Sequence, residues 1–125
     1  MNLVDSSGWL EYFADAPNAN FFEKPLLQID ELIVPTISIY EVFKRILQQR
    51  GDDDALQAIA VMQQGKVIDL DMNISLHAAK LSHELKLPMA DSIILSTAQL
   101  NMATLWTQDS EFEKIDGVKY ISKHK

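Results

Sequence analysis

Short apolar runs alternate along this chain with stretches in which apolar residues recur every three or four positions. That alternation is the pattern of an α/β domain, in which helices connect parallel strands and cover the sheet faces. Met1 to Val4 is the first run; it ends at Asp5, and Ser6, Ser7 and Gly8 supply helix-start or turn chemistry before the aromatic stretch Trp9 to Phe13. Pro17 and Asn18 mark a break, and Pro25 limits the helix in FFEKPLLQI unless it occupies a first turn. Leu32, Ile33 and Val34 read as a second buried strand closed by Pro35. Thr36 is the expected N-cap of the next helix, whose apolar stripe is Ile39, Val42, Phe43, Ile46 and Leu47. Gly51 ends that helix, and the acidic triplet Asp52 to Asp54 starts another with Leu56, Ile59, Ala60 and Gln63 as its stripe.

Lys66 to Leu70 reads as a third strand, with Asn73 capping a helix that presents Ile74, Ala78, Leu81 and Leu85 on one face. After Pro88, a helix from Met89 to about Asn101 is apolar around most of its circumference, as expected beside a sheet. Ala103 to Trp106 forms a fourth strand, and Val118 to Ile121 a fifth after the Asp116-Gly117 turn. With 125 residues and no repeat, linker or low-complexity segment, the expectation is one domain over residues 1–125.

Charge narrows the partners. Eleven Lys and Arg against eighteen Asp and Glu leave a formal charge of −7, so the chain lacks the basic surplus of a nonspecific duplex binder or an anionic-membrane protein. The absence of cysteine excludes disulfide scaffolds and Cys-ligated zinc or iron–sulfur sites, and makes a reducing cytoplasm the expected compartment. The opening MNLVDSSGWLEYF lacks the basic and long apolar regions of a signal peptide, and no window approaches the ~18 apolar residues of a membrane span.

Four carboxylates fall where an open α/β sheet binds ligands, beyond the carboxyl ends of its strands near the point where strand order reverses. Asp5 and Asp109 sit just past the first and fourth strands, Glu41 early in the helix after the second, and Asp91 early in the helix after Pro88. Parallel connectivity allows all four to meet at one edge. Gathered there they repel one another and persist only with bound cations or shared protons. Oxygen-only ligands favour Mg²⁺ or Mn²⁺, and a two-ion site would hold its ions ~3.5–4 Å apart beside a phosphodiester. Taken singly, each has a plainer role: Asp5 and Asp109 as caps, Asp91 at a helix dipole, and Glu41 paired with Arg45 for only ~0.3–0.5 kcal/mol.

Other constellations are weaker. His77 and His83 fall on different helix faces and His124 is near the terminus, which argues against a histidine metal site, and no serine-hydrolase elbow or phosphate loop occurs. Lys44, Arg45 and Arg50, with Lys119, Lys123 and Lys125, offer phosphate contacts or simply solubility. The spacing of Trp9, Tyr12 and Phe13 suits core or interface packing more than base stacking, with a dimer face preferred.

Taken together, LVDSSGWLEYF, the Glu41 of SIYEVFKR, PMADSIILSTA around Asp91, and LWTQDSEF resemble PIN-domain ribonucleases of the VapC toxin type over nearly the whole chain. The resemblance implies a five-stranded parallel sheet of order 3-2-1-4-5 flanked by helices. It also implies a Mg²⁺- or Mn²⁺-dependent endoribonuclease that cuts RNA phosphodiesters with metal-activated water. Asp5, Glu41, Asp91 and Asp109 would hold the metal, with Glu111 as an additional candidate ligand and the hydroxyls of Ser6 and Thr107 orienting the carboxylates. A homodimer and a cognate antitoxin are implied partners, with promoter DNA reached only through the antitoxin. Gln108 departs from the family, which often carries a basic side chain there. Two rival readings fit a small acidic α/β protein: a Mg²⁺-binding phospho-receiver domain using Asp71 and Lys119, and a non-catalytic acidic interaction module.

Overall fold

The computed structural model describes residues 1–123. In chain order the elements are β1 (Asn2–Val4), α1 (Ser6–Phe13), α2 (Ala19–Leu26), β2 (Leu32–Pro35), α3 (Thr36–Arg50), α4 (Asp52–Met62), β3 (Lys66–Ile68), α5 (Met72–Leu85), α6 (Met89–Leu100), β4 (Thr104–Thr107) and β5 (Val118–Tyr120). One-turn 3-10 helices at Ile29–Glu31 and Ser110–Phe112 precede β2 and β5. All strand pairings are parallel, in the order β3-β2-β1-β4-β5. No helix among the described residues is long and apolar enough to cross a membrane.

Alternation within the central strands divides the core between the two sheet faces. Val4, Val34 and Trp106 join Trp9, Phe22, Val42 and Met62 on the α1–α4 side, whereas their neighbours Leu3, Ile33 and Leu105 pack with Ile94, Leu95 and Phe112 on the α6 side. Trp9 is therefore core, and Tyr12 and Phe13 are half-buried against the same cluster.

Several boundaries differ from expectation for local reasons. Pro25 lies in the last turn of α2, whose helix runs one residue past it; the missing proline N–H falls where the helix is ending, and Leu27 N and Gln28 N close the turn on Glu23 and Pro25 carbonyls. Thr36 is the first helical residue of α3 and Pro35 holds the cap position. Asp71, not Asn73, caps α5: its Oδ1 accepts from Ile74 N at 2.8 Å, an interaction available because β3 already ends at Ile68. On α4 the buried face is Ala55, Ala58 and Met62, while Leu56, Ala60 and Gln63 are exposed, because α3 packs close enough to select small residues. Leu47 and Leu85 are also exposed at the ends of their stripes.

Candidate metal centre

The strand order reverses about β1, whose two neighbours are β2 and β4, and the ends of β1 and β4 are held level by the Val4–Trp106 pairing and an Asp5 N–H bond to the Trp106 carbonyl at 3.1 Å. Asp5 is 4% exposed and caps α1, its Oδ1 accepting from Gly8 N at 2.8 Å and from Ser7 Oγ at 3.0 Å. Gly8 is required there: a Cβ would lie 2.6 Å from both the Phe22 ring and a Val4 methyl, so only glycine lets the first turn of α1 settle over β1. Thr107 Oγ1, fully buried at the end of β4, donates to Asp5 Oδ2 and accepts from Asp109 N at 2.9 Å. Asp109 caps the one-turn helix, accepting from Glu111 N at 3.0 Å. Across β1, in the second turn of α3, Glu41 accepts from Ser6 Oγ at 2.7 Å.

One carboxylate oxygen from each of Asp91, Asp109 and Glu111 lies within 4.8 Å of the others. Asp91, half-buried in the first turn of α6, is pushed up to about 7, first by burial, then by the Asp109 charge, and further by Glu111 and Asp5. Asp5 rises to about 6 through burial, with Asp109 adding to it and the Thr107, Gly8 and Ser7 donors opposing it. Asp5 and Glu41 lie outside the 4.8 Å group; Asp5 acts on Asp91 by charge, and Glu41 is tied in through Ser6. Among the described residues the ion pair present joins the Met1 amine to Glu31, so neither the acidic group nor Glu41 has a side-chain counterion, and Glu41 is not paired with Arg45. A crowded oxygen donor set without counterion fits a hard divalent cation.

Ser6 therefore serves Glu41, while Asp5 is held by two hydroxyls, the expected Thr107 and also Ser7, whose only signal in the sequence is its position two residues after an N-capping Asp. Gln108 is buried and committed elsewhere, accepting from Asn18 Nδ2 at 2.9 Å and donating to Glu11 at 3.2 Å. The receiver reading fails on geometry. Asp71 is a helix cap beyond β3, and Lys119 lies over the Trp106 ring in β5, at the opposite edge of the sheet. His77 bonds Gln99 and His83 is exposed; His124 and Lys125 fall outside the described residues.

A family model described as PIN domain matches residues 3–118. No curated protein matches the sequence. Among solved structures, a toxin–antitoxin complex from Klebsiella pneumoniae superposes with a TM-score of 0.82 at 22% identity, covering 95% of this chain and 96% of that one. VapC20 of Mycobacterium tuberculosis, described as a sarcin–ricin loop cleaving toxin, gives 0.78 at 12% identity over 93% and 95%. A DNA-bound VapBC from Salmonella typhimurium gives 0.78 at 18% identity over 98% of each chain. These likenesses share the whole fold, and the match over residues 3–118 takes in all of the sheet strands but the start of the first and the end of the last: the chain belongs to the PIN domain family.

Proposed function

We propose that this protein is a divalent-metal-dependent endoribonuclease of the VapC type, the toxin of a toxin–antitoxin pair, acting in the cytoplasm. The observation that carries the reading is the uncompensated group Asp91, Asp109 and Glu111 beside Asp5 at the strand ends of a PIN domain. RNA as substrate class is supported by the mycobacterial neighbour, described as cleaving the sarcin–ricin loop. The Klebsiella and Salmonella neighbours, described as toxin–antitoxin assemblies, support a cognate antitoxin as partner, with promoter DNA reached through it. A second copy of the chain completes the proposed assembly.

Asp5, Glu41, Asp91 and Asp109 would hold Mg²⁺ or Mn²⁺, with Glu111 as a further ligand. A cation bound there would polarise an attacking water and offset charge building on the phosphate oxygens. The chain's own contribution is placement. Thr107 and Ser7 donate to Asp5 and favour its ionised form, Ser6 fixes the Glu41 carboxylate, and Thr107 ties the Asp109 backbone to the same point.

The test is incubation of the purified protein with total bacterial RNA and Mn²⁺ or Mg²⁺, followed by mapping of 5′-phosphate ends, with chelator and Asp91→Asn as controls. Discrete new ends that vanish in both controls are expected. Ends that persist under chelation would overturn the metal dependence, and unchanged RNA would favour the acidic interaction module instead.

A further inference from the structure

Arg45 and Arg50 line one cleft of about 260 Å³ between α1 and α3, and neither pairs with a carboxylate among the described residues. In a chain with a formal charge of −7, two uncommitted guanidinium groups in one cleft call for an anion. The carboxylate that does line the cleft, Glu11, is already engaged, accepting from Asn18 N at 2.9 Å and from Gln108 Nε2 at 3.2 Å.

The cleft is joined to the acidic centre from three directions. Ser7 lines it while donating to Asp5. Glu41, Arg45 and Gln49 recur every fourth residue on α3, so they form one row with steps of about 6 Å along the axis, leading from the Ser6-bound carboxylate into the cleft. Gln108 floors the cleft and also lines an adjoining hollow of about 290 Å³ shared with Asp109 and Lys123.

We propose that this cleft is a phosphate subsite, in which Arg45 and Arg50 grip the backbone of the RNA strand next to the phosphodiester held at the acidic centre. The proposal rests on the nuclease reading and extends it. An acidic centre repels a polyanion, so a strand laid across it must be anchored by cations beside it. The planar guanidinium fork matches two phosphate oxygens at once and is only weakly hydrated. Gln108 is neutral and its amide is committed to Glu11 and Asn18, so the cations lining the cleft are the two arginines of α3. Backbone contacts of this kind position a strand without reading its sequence.

The test measures binding of a short random-sequence oligoribonucleotide by fluorescence anisotropy across a salt series, in the Asp91→Asn background with Mg²⁺ to block cleavage. Adding Arg45→Gln with Arg50→Gln should weaken binding about tenfold. It should also flatten the slope of log K against log salt by about 1.4, or about 0.7 for each of two phosphate contacts. In the otherwise wild-type chain the same pair should raise KM for RNA while leaving kcat in place. Lys66→Gln with Lys80→Gln removes equal charge from exposed sites outside the cleft and should leave the slope unchanged. Equal losses in the two double variants would assign the effect to net charge and overturn the subsite. Unaltered binding and KM in the arginine variant of a chain that still cleaves RNA would overturn the subsite alone. No RNA binding by the parent and no cleavage by the wild type would remove the nuclease reading and the subsite together. Arginine-dependent binding of a polyglutamate peptide, without arginine dependence for RNA, would give the cleft to a protein partner.

Discussion

Thr107 shows how single residues keep mutually repelling carboxylates in place. Its hydroxyl gives its proton to Asp5 and takes the Asp109 N–H, so one buried oxygen links the ends of β1 and β4 to the loop that carries Asp109. Replacing it by valine preserves shape but leaves Asp5 short of a donor and the Asp109 amide short of an acceptor, at a cost of roughly 1–3 kcal/mol for each buried group left unsatisfied. Thr107→Val should therefore lower stability in urea denaturation and move the acid limb of the RNA-cleavage pH profile upward, because the Thr107 donor opposes the rise of Asp5. Thr107→Ser should restore both. A pH profile unmoved by Thr107→Val would show that Asp5 does not titrate in the reaction. This positioning role was partly legible in the sequence: a threonine two residues before an aspartate at a strand end is conspicuous, but nothing local says which carboxylate it serves. Ser6 and Ser7 make the same point, since adjacent residues on α1 point to Glu41 and Asp5 respectively.

Among the elements, α4 is where periodicity misled. The large residues Leu56 and Ile59 suggest one buried face, but Leu56 is exposed and Ile59 only partly buried against the core, while Ala55, Ala58 and Met62 are buried. Hydropathy weights side-chain size, but a helix packed closely on α3 places small residues at the contact, and that distance is a tertiary property. Met62→Ala should cost about 2–5 kcal/mol, whereas Leu56→Lys should stay within about 0.5 kcal/mol of wild type. Denaturant titration of both checks the assignment, and the reverse order would restore the leucine face to the core. The helix starts were easier to read where a short acidic side chain directly follows a strand, as with Asp5 capping α1, and harder at Asp71, where the strand proved shorter than its apolar run.

For the whole molecule, the acidic edge sets a pH dependence. Folded Asp5 and Asp91 hold protons up to about 6 and about 7, against an ordinary value of 3.8, so between those limits the native state binds more protons than the unfolded chain. Stability of the metal-free protein contributed by these groups is then greatest below about pH 4 and is lost as pH rises through 6 to 7. A divalent cation competes with those protons: Mn²⁺ should raise Tm most above pH 7 and progressively less toward pH 5. Saturation at a hundredfold over Kd is worth about 2.7 kcal/mol. Thermal melts across pH, with and without Mn²⁺, check this, and Asp91→Asn should lose most of both the pH slope and the metal gain. A metal-free protein that becomes more stable from pH 4 to 7 would contradict the crowding of the carboxylates.

The order of apolar runs and helical stripes, the acidic residues at the strand ends and the absence of cysteine were properties of the sequence alone, because strand and helix periods are local and Asp5 and Asp109 announce themselves by their place after an apolar run. Tertiary structure decided which carboxylates come within 4.8 Å, which hydroxyl serves which acid, that Gln108 is spent on Glu11 and Asn18, and that Arg45 and Arg50 share a cleft with Ser7. Those pairings join residues up to 102 positions apart, as Asp5 and Thr107 are, and they exist only once parallel pairing has set β1 beside β4 and packed α1 against α3.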